Sequence, residues 1–393
     1  LVLLGSCWAL AARAQTQVPP STSPYAPLGV DLLLQGRPQE GLVILHSGYR
    51  NSPYVDADAV VFMGASQNGR EGDVLSVNLG LREPHGYAQA RVGRFVLSTG
   101  AVRPVQIDGA TVLGRAPTGS TLEVFGGLPV VPDFGPRPFD WLAGARVGQW
   151  LLDQRLGVGV SYLQRRDDGE LSSQELGADL GLAPLDWLAV NAIGAWDLLQ
   201  DGLAEARVSA DAHTERSHAQ LFATRRVASR LLPATSLFSV ISAAPSSELG
   251  SDLVWNAFPR LDLGGTGALE GLDGRLGYRC ALRTTLRFAD EGGGQLGLEG
   301  TRRKLGSEGW TGGSARVELP LTLELRAHAS LELVAADHPS GRGALWPWTR
   351  VGASYAIGPA WLLSAAIGAR STPQYRSELL ALLRVGYSAM VGP

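Results

Sequence analysis

The sequence predicts an all-β fold, a transmembrane antiparallel up-and-down β-barrel. Three observations carry that reading. Apolar and polar residues alternate with period two along most of the chain, 50 Gly and 23 Pro supply turns, and beyond the N-terminal segment there is no run of about 18 apolar residues that could form a membrane helix. The alternation is plainest at 316–333. Even positions give Arg316, Glu318, Thr322, Glu324, Arg326, His328, Ser330 and Glu332, and odd positions give Val317, Leu319, Leu321, Leu323, Leu325, Ala327, Ala329, Leu331 and Leu333. A strand turns successive side chains to opposite faces, so this ribbon has one apolar and one charged face. A large soluble sandwich would use such a ribbon against a second sheet; in lipid, only closure pairs every backbone N–H and C=O.

At its start the chain is apolar over residues 1–11, and Ala12-Arg-Ala14 before Gln15 has the small-x-small form of a signal-peptidase site. Residues 1–14 read as a secretory leader truncated at its start. A lipoprotein site ending at Cys7 is the rival, disfavoured because apolar residues continue past Cys7. Residues 15–40 open with a Pro, Ser and Thr-rich run and are expected to be a flexible tail. The barrel is expected over 41–393. Cys280 is the only cysteine after the leader, which leaves no internal disulfide to form.

Within the barrel, Ala204, Ala206, Val208, Ala210 and Ala212 alternate with Glu205, Arg207, Ser209, Asp211 and His213. After a turn near Glu215 the pattern resumes through Ala219, Leu221 and Ala223, which makes a hairpin. Leu176 to Leu182 alternates likewise, and Ala183-Pro184 is read as the turn into a strand from Trp187 to Leu198. Leu276, Tyr278, Cys280, Leu282 and Leu286 oppose Arg275, Arg279, Arg283 and Arg287. Near the end Leu379, Ala381, Leu383, Val385 and Tyr387 oppose Glu378, Arg384 and Ser388. Asn68-Gly69, Asp167-Asp-Gly169, Asp201-Gly202, Asp273-Gly274 and Glu291-Gly-Gly-Gly294 are the turns between runs. Spacing these segments gives about 18 strands, in a range of about 16 to 20, even as single-chain barrels require. Pro cannot donate to a ladder, so Pro259 and Pro320 are expected in turns, the second dividing the 316–333 ribbon into two strands.

Aromatics fit a membrane girdle. Asp140-Trp141 and Asp186-Trp187 repeat one pattern at two expected strand starts, and Trp141, Trp187, Trp361 and Tyr387 are the expected membrane-interface residues. Trp150 stands an odd nine residues from Trp141, so the two face opposite sides unless a bulge intervenes.

A leader followed by repeated amphipathic strands with Asp-Trp starts resembles the bacterial outer-membrane β-barrel class over nearly the whole mature chain. Ala90-Arg-Val-Gly-Arg94, Asp108-Gly-Ala110 and Glu123-Val-Phe-Gly-Gly127 are similar to the strand-turn-strand pattern of porins and of polysaccharide-export barrels of the alginate-export type. The terminus departs from the class, ending Ala389-Met-Val-Gly-Pro393 where an aromatic is usual. The resemblance implies a bacterial outer-membrane location and a channel for small solutes or an exported polymer. The alternative is a structural component of a multiprotein envelope machine for polysaccharide export, secretion or motility, with a plugged lumen. Its partners would be outer-membrane lipid and periplasmic or envelope-complex proteins.

Net charge −3 and pI near 6.1 give no footprint for nucleic acid. No Walker loop, nucleophile elbow or HExxH helix is present, so an enzyme and a cofactor are not expected. Asp211, His213, Glu215 and His218 could cluster on one face, and His328 and Ser330 could form a pair. An ordinary polar lumen wall accounts for both, and no metal site is expected there. The expected lumen-facing residues are Arg207, Arg275, Arg279, Arg283, Arg287, Glu318, Glu324, Arg326 and Glu332. Guanidinium groups in a pore favour anions, whereas pairing with the nearby glutamates would give a neutralised wall.

Overall fold

The computed structural model describes residues 26–35, 40–49, 52, 54–66, 69–130, 140–227, 246–288, 293–339, 343–371 and 378–391. They form one antiparallel sheet of 22 strands closed on itself. The wall opens with β1 (Ala26–Gln35), β2 (Glu40–Tyr49), β3 (Val55–Ser66), β4 (Gly69–Arg82) and β5 (Ala88–Leu97). It continues through β6 (Val105–Arg115), β7 (Ser120–Pro129), β8 (Asp140–Leu151), β9 (Leu156–Asp167), β10 (Glu170–Leu185) and β11 (Leu188–Asp197). The second half holds β12 (Gly202–His213), β13 (Ser217–Arg226), β14 (Ser246–Phe258), β15 (Leu261–Leu272), β16 (Arg275–Arg287) and β17 (Gln295–Leu305). It ends with β18 (Glu308–Pro320), β19 (Leu325–Ala336), β20 (Leu345–Ile357), β21 (Trp361–Arg370) and β22 (Glu378–Val391). Each strand pairs with its neighbours in sequence, and β1 closes on β22 with Val30 opposite Tyr387.

The expected count of about 18 is thus corrected to 22 among the described residues. Part of the shortfall is β1, which lies in the segment expected to be tail: residues 26–35 are the seam strand, so the barrel starts well before residue 41. Glycine-rich strands such as β15, LDLGGTGALEGL, pair through the backbone while carrying few side chains to alternate. The leader and residues 15–25 lie outside the described residues.

Cross-strand partners share a face, so the register sorts inside from outside around the whole wall. The outer set includes Leu276 (81% exposed) and Leu282 (75%), with Leu221, Leu269, Val351 and Ile367 also exposed. Ile107 and Leu163, at 0% and 1%, lie on the inner face. An apolar exterior of this extent is stable where lipid covers it.

An even strand number puts the entry of β1 and the exit of β22 on one rim. That terminal rim carries turns as short as residues 186–187 and 259–260, and the two strand pairs separated by most sequence, β7–β8 and β13–β14, are joined from their distal ends. Long connections at the rim away from the termini are usual in outer-membrane barrels. The distal turns Asp168-Gly169 and Asp273-Gly274 have positive φ at both residues, as two-residue hairpins require.

Pro259 lies in the β14–β15 turn and Pro320 is the last residue of β18. Ala183-Pro184 is not a turn: β10 runs on to Leu185, and the ladder absorbs the missing N–H by shifting register between Leu182 and Leu185. The Asp-Trp repeats therefore part company. Trp141 lies at the distal start of β8, whereas Trp187 lies in the terminal-rim turn before β11.

Candidate functional site in the barrel lumen

Residues 98–104, between β5 and β6, turn inward from the distal rim and lie against the inner wall. Thr99, Ala101 and Val102 are at most 5% exposed. Val102 joins Phe95, Leu97, Val105, Ile107, Phe125, Leu142 and Leu163 in an apolar cluster on the inner faces of β5–β9. Missing Cβ atoms make the room. One on Gly144 would collide with the Tyr162 carbonyl oxygen and the Phe125 ring, and one on Gly177 would fall 2.8 Å from the Ala101 Cβ.

Polar bonds fix this strap. Ser161 Oγ accepts from the Ala101 N–H at 3.3 Å. Glu175 accepts from the Arg103 backbone N–H at 3.3 Å and from its guanidinium, and the Glu175 side chain is fully buried. Thr99 donates to Glu123, which also accepts from Thr111 at 3.1 Å. Gly100, at φ 53°, sits over the bidentate Arg146–Asp179 pair; a Cβ there would meet Asp179 Oδ1 at 2.8 Å. Positive φ and a crowded floor both demand glycine at this point. A charge as deeply buried as Glu175 is tolerable because it is paired and hydrogen-bonded.

Across the lumen, Arg275, Arg279, Arg283 and Arg287 all point inward from β16, sharing a face with Asp262, Thr266 and Glu270 of β15. Each meets a carboxylate. Arg279 bridges Glu248 and Glu270, Arg283 donates to Asp252 at 2.6 Å, Arg287 binds Asp262, and Arg275 lies 3.8 Å from Glu308. Arg303, from β17, adds a second contact to Glu270 at 2.7 Å. The ladder is a neutralised wall rather than a bare cationic stripe. Arg207 is inward on β12 and exposed. Glu318, Arg326 and Glu332 are also inward, with Arg326 and Glu318 3.4 Å apart.

Glu324 is a correction. It lies in the exposed β18–β19 turn, where its N–H donates to Thr322 Oγ1, because β19 begins only at Leu325. The turn after Pro320 consumes four residues that alternation alone had assigned to a strand.

Trp361 and Tyr387 share the outer face at the terminal rim, their rings 4.6 Å apart. Trp141 faces outward as a partner of Arg166, and Trp150 faces inward over Gly157. Trp187 belongs to no strand and is half exposed in its turn. His213 and His218 face each other on the inner wall, His218 being 3.7 Å from Asp211. Among the described residues no group of three or more His, Cys, Asp or Glu side chains is arranged to hold a metal. Sequence reasoning did not find the strap. The Gly100 and Pro104 pair signals a connection, but burial of a connection inside a lumen is set by tertiary contacts.

No family model matches this chain. No curated protein matches it by sequence. Its likeness to solved structures is structural. The siderophore receptor PirA from Pseudomonas aeruginosa superposes with a TM-score of 0.56 at 8% identity, over 93% of this chain and 80% of that one. The ferric-catecholate import receptor Fiu from E. coli K12 gives 0.57 at 8% identity, over 94% and 82%. The usher PapC, in an E. coli P pilus tip assembly intermediate with PapD, PapK and PapG, gives 0.50 at 12% identity, over 95% of this chain and 62% of that chain. At such identities the likeness is one of fold, and the fold is that of the bacterial outer-membrane β-barrels.

Proposed function

We propose that this chain is an integral protein of the bacterial outer membrane that forms a non-enzymatic channel, narrowed by the strap at 98–104, for small solutes or an exported polymer. The observation that carries this is the closed wall with an apolar exterior and an interior lined by paired charges. Closure satisfies the backbone in lipid, and a paired lining keeps water inside without strong ion preference. Purified protein in planar bilayers is expected to give stable conductance steps, and replacing residues 98–104 by a short glycine linker should enlarge them. Silence across voltages and salts would sink the proposal.

A component of an envelope machine is the second reading, favoured by the strand number, since barrels of 22 strands characteristically have a plugged lumen. The PapC usher in its tip assembly intermediate is a structural precedent for such partners. On this reading, crosslinking in cells from residues 15–27 captures a periplasmic protein and bilayers stay silent; a tail that captures nothing counts against it.

A further inference from the structure

Three tryptophans of the distal half are used neither by the strap nor by the arginine ladder. Trp310 pairs with Arg303 and Ala336, Trp346 with Val334, and Trp348 with Glu332 and Arg370. These registers turn all three into the lumen, the face of Arg303 and Glu332. They are therefore not interface anchors, which face lipid. Trp348 is 40% exposed, and the Arg370 guanidinium lies 6.0 Å from its ring centroid. The Trp310 ring lies over Gly312, where a Cβ would come within 2.9 Å. The Trp346 Nε1–H is buried and has no acceptor among the described residues.

One inward position below Trp348 is Arg350. Its row across the wall runs Gly297, Arg316, Ser330, Arg350 and Gly368. Both residues are exposed, and among the described residues neither makes an ion pair, unlike Arg279 and Arg283 on β16.

Indole faces shown to a water-filled lumen, with cations beside them, suit a ligand that is apolar on its ring faces, hydroxylated at its edges and negatively charged. A sugar acid has that form. Its C–H face stacks on the indoles, Ser330 gives or accepts and Glu332 accepts hydroxyl hydrogen bonds, and carboxylates meet the guanidiniums of Arg316 and Arg350 in paired hydrogen bonds. We infer that the inner face of β18–β20 near the distal rim is a binding shelf for a linear acidic glycan. This deepens the channel reading by naming the class of polymer, and it rests on that reading for transport though not for binding.

The test is saturation-transfer NMR on the full chain folded in detergent, with hexagalacturonate as the acidic probe and maltohexaose as the neutral one. Transfer onto the ring C–H protons of hexagalacturonate is expected. Trp346→Ala with Trp348→Ala should weaken its binding by roughly five- to tenfold, the size of an aromatic contact. Arg316→Gln with Arg350→Gln should weaken the acidic probe and leave the neutral one unchanged. Each variant is first shown to keep the gel shift on heating that marks a closed barrel. No transfer, equal binding of the two sugars, or closed-barrel variants that bind as the parent does would each overturn the inference. Because binding is read without current, bilayer silence with transfer present overturns only the channel, and conductance without transfer overturns only the shelf.

Discussion

Glu175 is where a single side chain matters most. It is fully buried, and its partner Arg103 is anchored to it through both backbone and side chain. Removing one member of a buried pair leaves the other charge stranded, at about 3–5 kcal/mol. Glu175→Ala is therefore expected to release the strap while the wall stays closed: a spin label at Ser98 becomes mobile, and the gel shift on heating persists. Gly177→Val tests the same docking without touching a charge, since its Cβ falls on Ala101. Overpacking of that kind costs about 1–3 kcal/mol, so the label should loosen here as well, though less. A label that stays rigid in both variants would mean that the apolar cluster alone holds the strap. Glu83 gives a pH expectation. It lies in the β4–β5 turn and is held below the usual carboxylate range, first by the backbone N–H of His85, with desolvation opposing and the His85 ring and Tyr87 N–H assisting. A depressed carboxylate stabilises its turn above the ordinary glutamate value and loses that contribution as pH falls through the lowered one. A carbon-shift titration of Glu83 should thus have its midpoint below that of a glutamate in an unstructured peptide, and coincidence of the two would remove the turn's pH dependence.

At the scale of the element, β16 separates electrostatics from stability. Arg283 and Asp252 are 43% and 25% exposed, a solvated pair worth about 0–1 kcal/mol to folding. Arg283→Gln should leave thermal unfolding nearly unchanged. It nevertheless exposes Asp252 to the lumen, so the reversal potential in a salt gradient should shift toward cations. Unaltered selectivity would place the ladder away from the ion path. Period two makes the inward parity of Arg275 to Arg287 legible in the sequence, because a strand has only two faces. Their partners Glu248 and Asp252 stand 31 residues away from Arg279 and Arg283, and strand register brings them together. Glu324 shows the converse limit: its alternation continues unbroken into a turn that backbone geometry, not polarity, dictates. Residues 98–104 show another limit, since a connection with a glycine and a proline reads alike whether it faces solvent or folds into a lumen.

For the whole molecule, closure is the property on which everything else rests, and β1 completes it. Its outer residues Val30 and Leu32 meet Tyr387 and Val385, while inside Asp31 accepts from Arg384 at 2.8 Å. Remove residues 26–35 and 21 of the 22 strands remain. β2 and β22 then each present an unpaired ladder edge, which lipid cannot solvate, and bridging them directly would demand a parallel pair, since both run away from the distal rim. The truncated chain should thus fail to give the heat-sensitive compact band and should be open to added protease. Removing only residues 15–25 should preserve both signs of closure, and Asp31→Asn should preserve them with a small loss of stability, because the ladder outweighs one half-exposed ion pair. Survival of the compact band without residues 26–35 would show that the seam can close through another register. The strap and the aromatic shelf would then have to be placed anew in a narrower lumen.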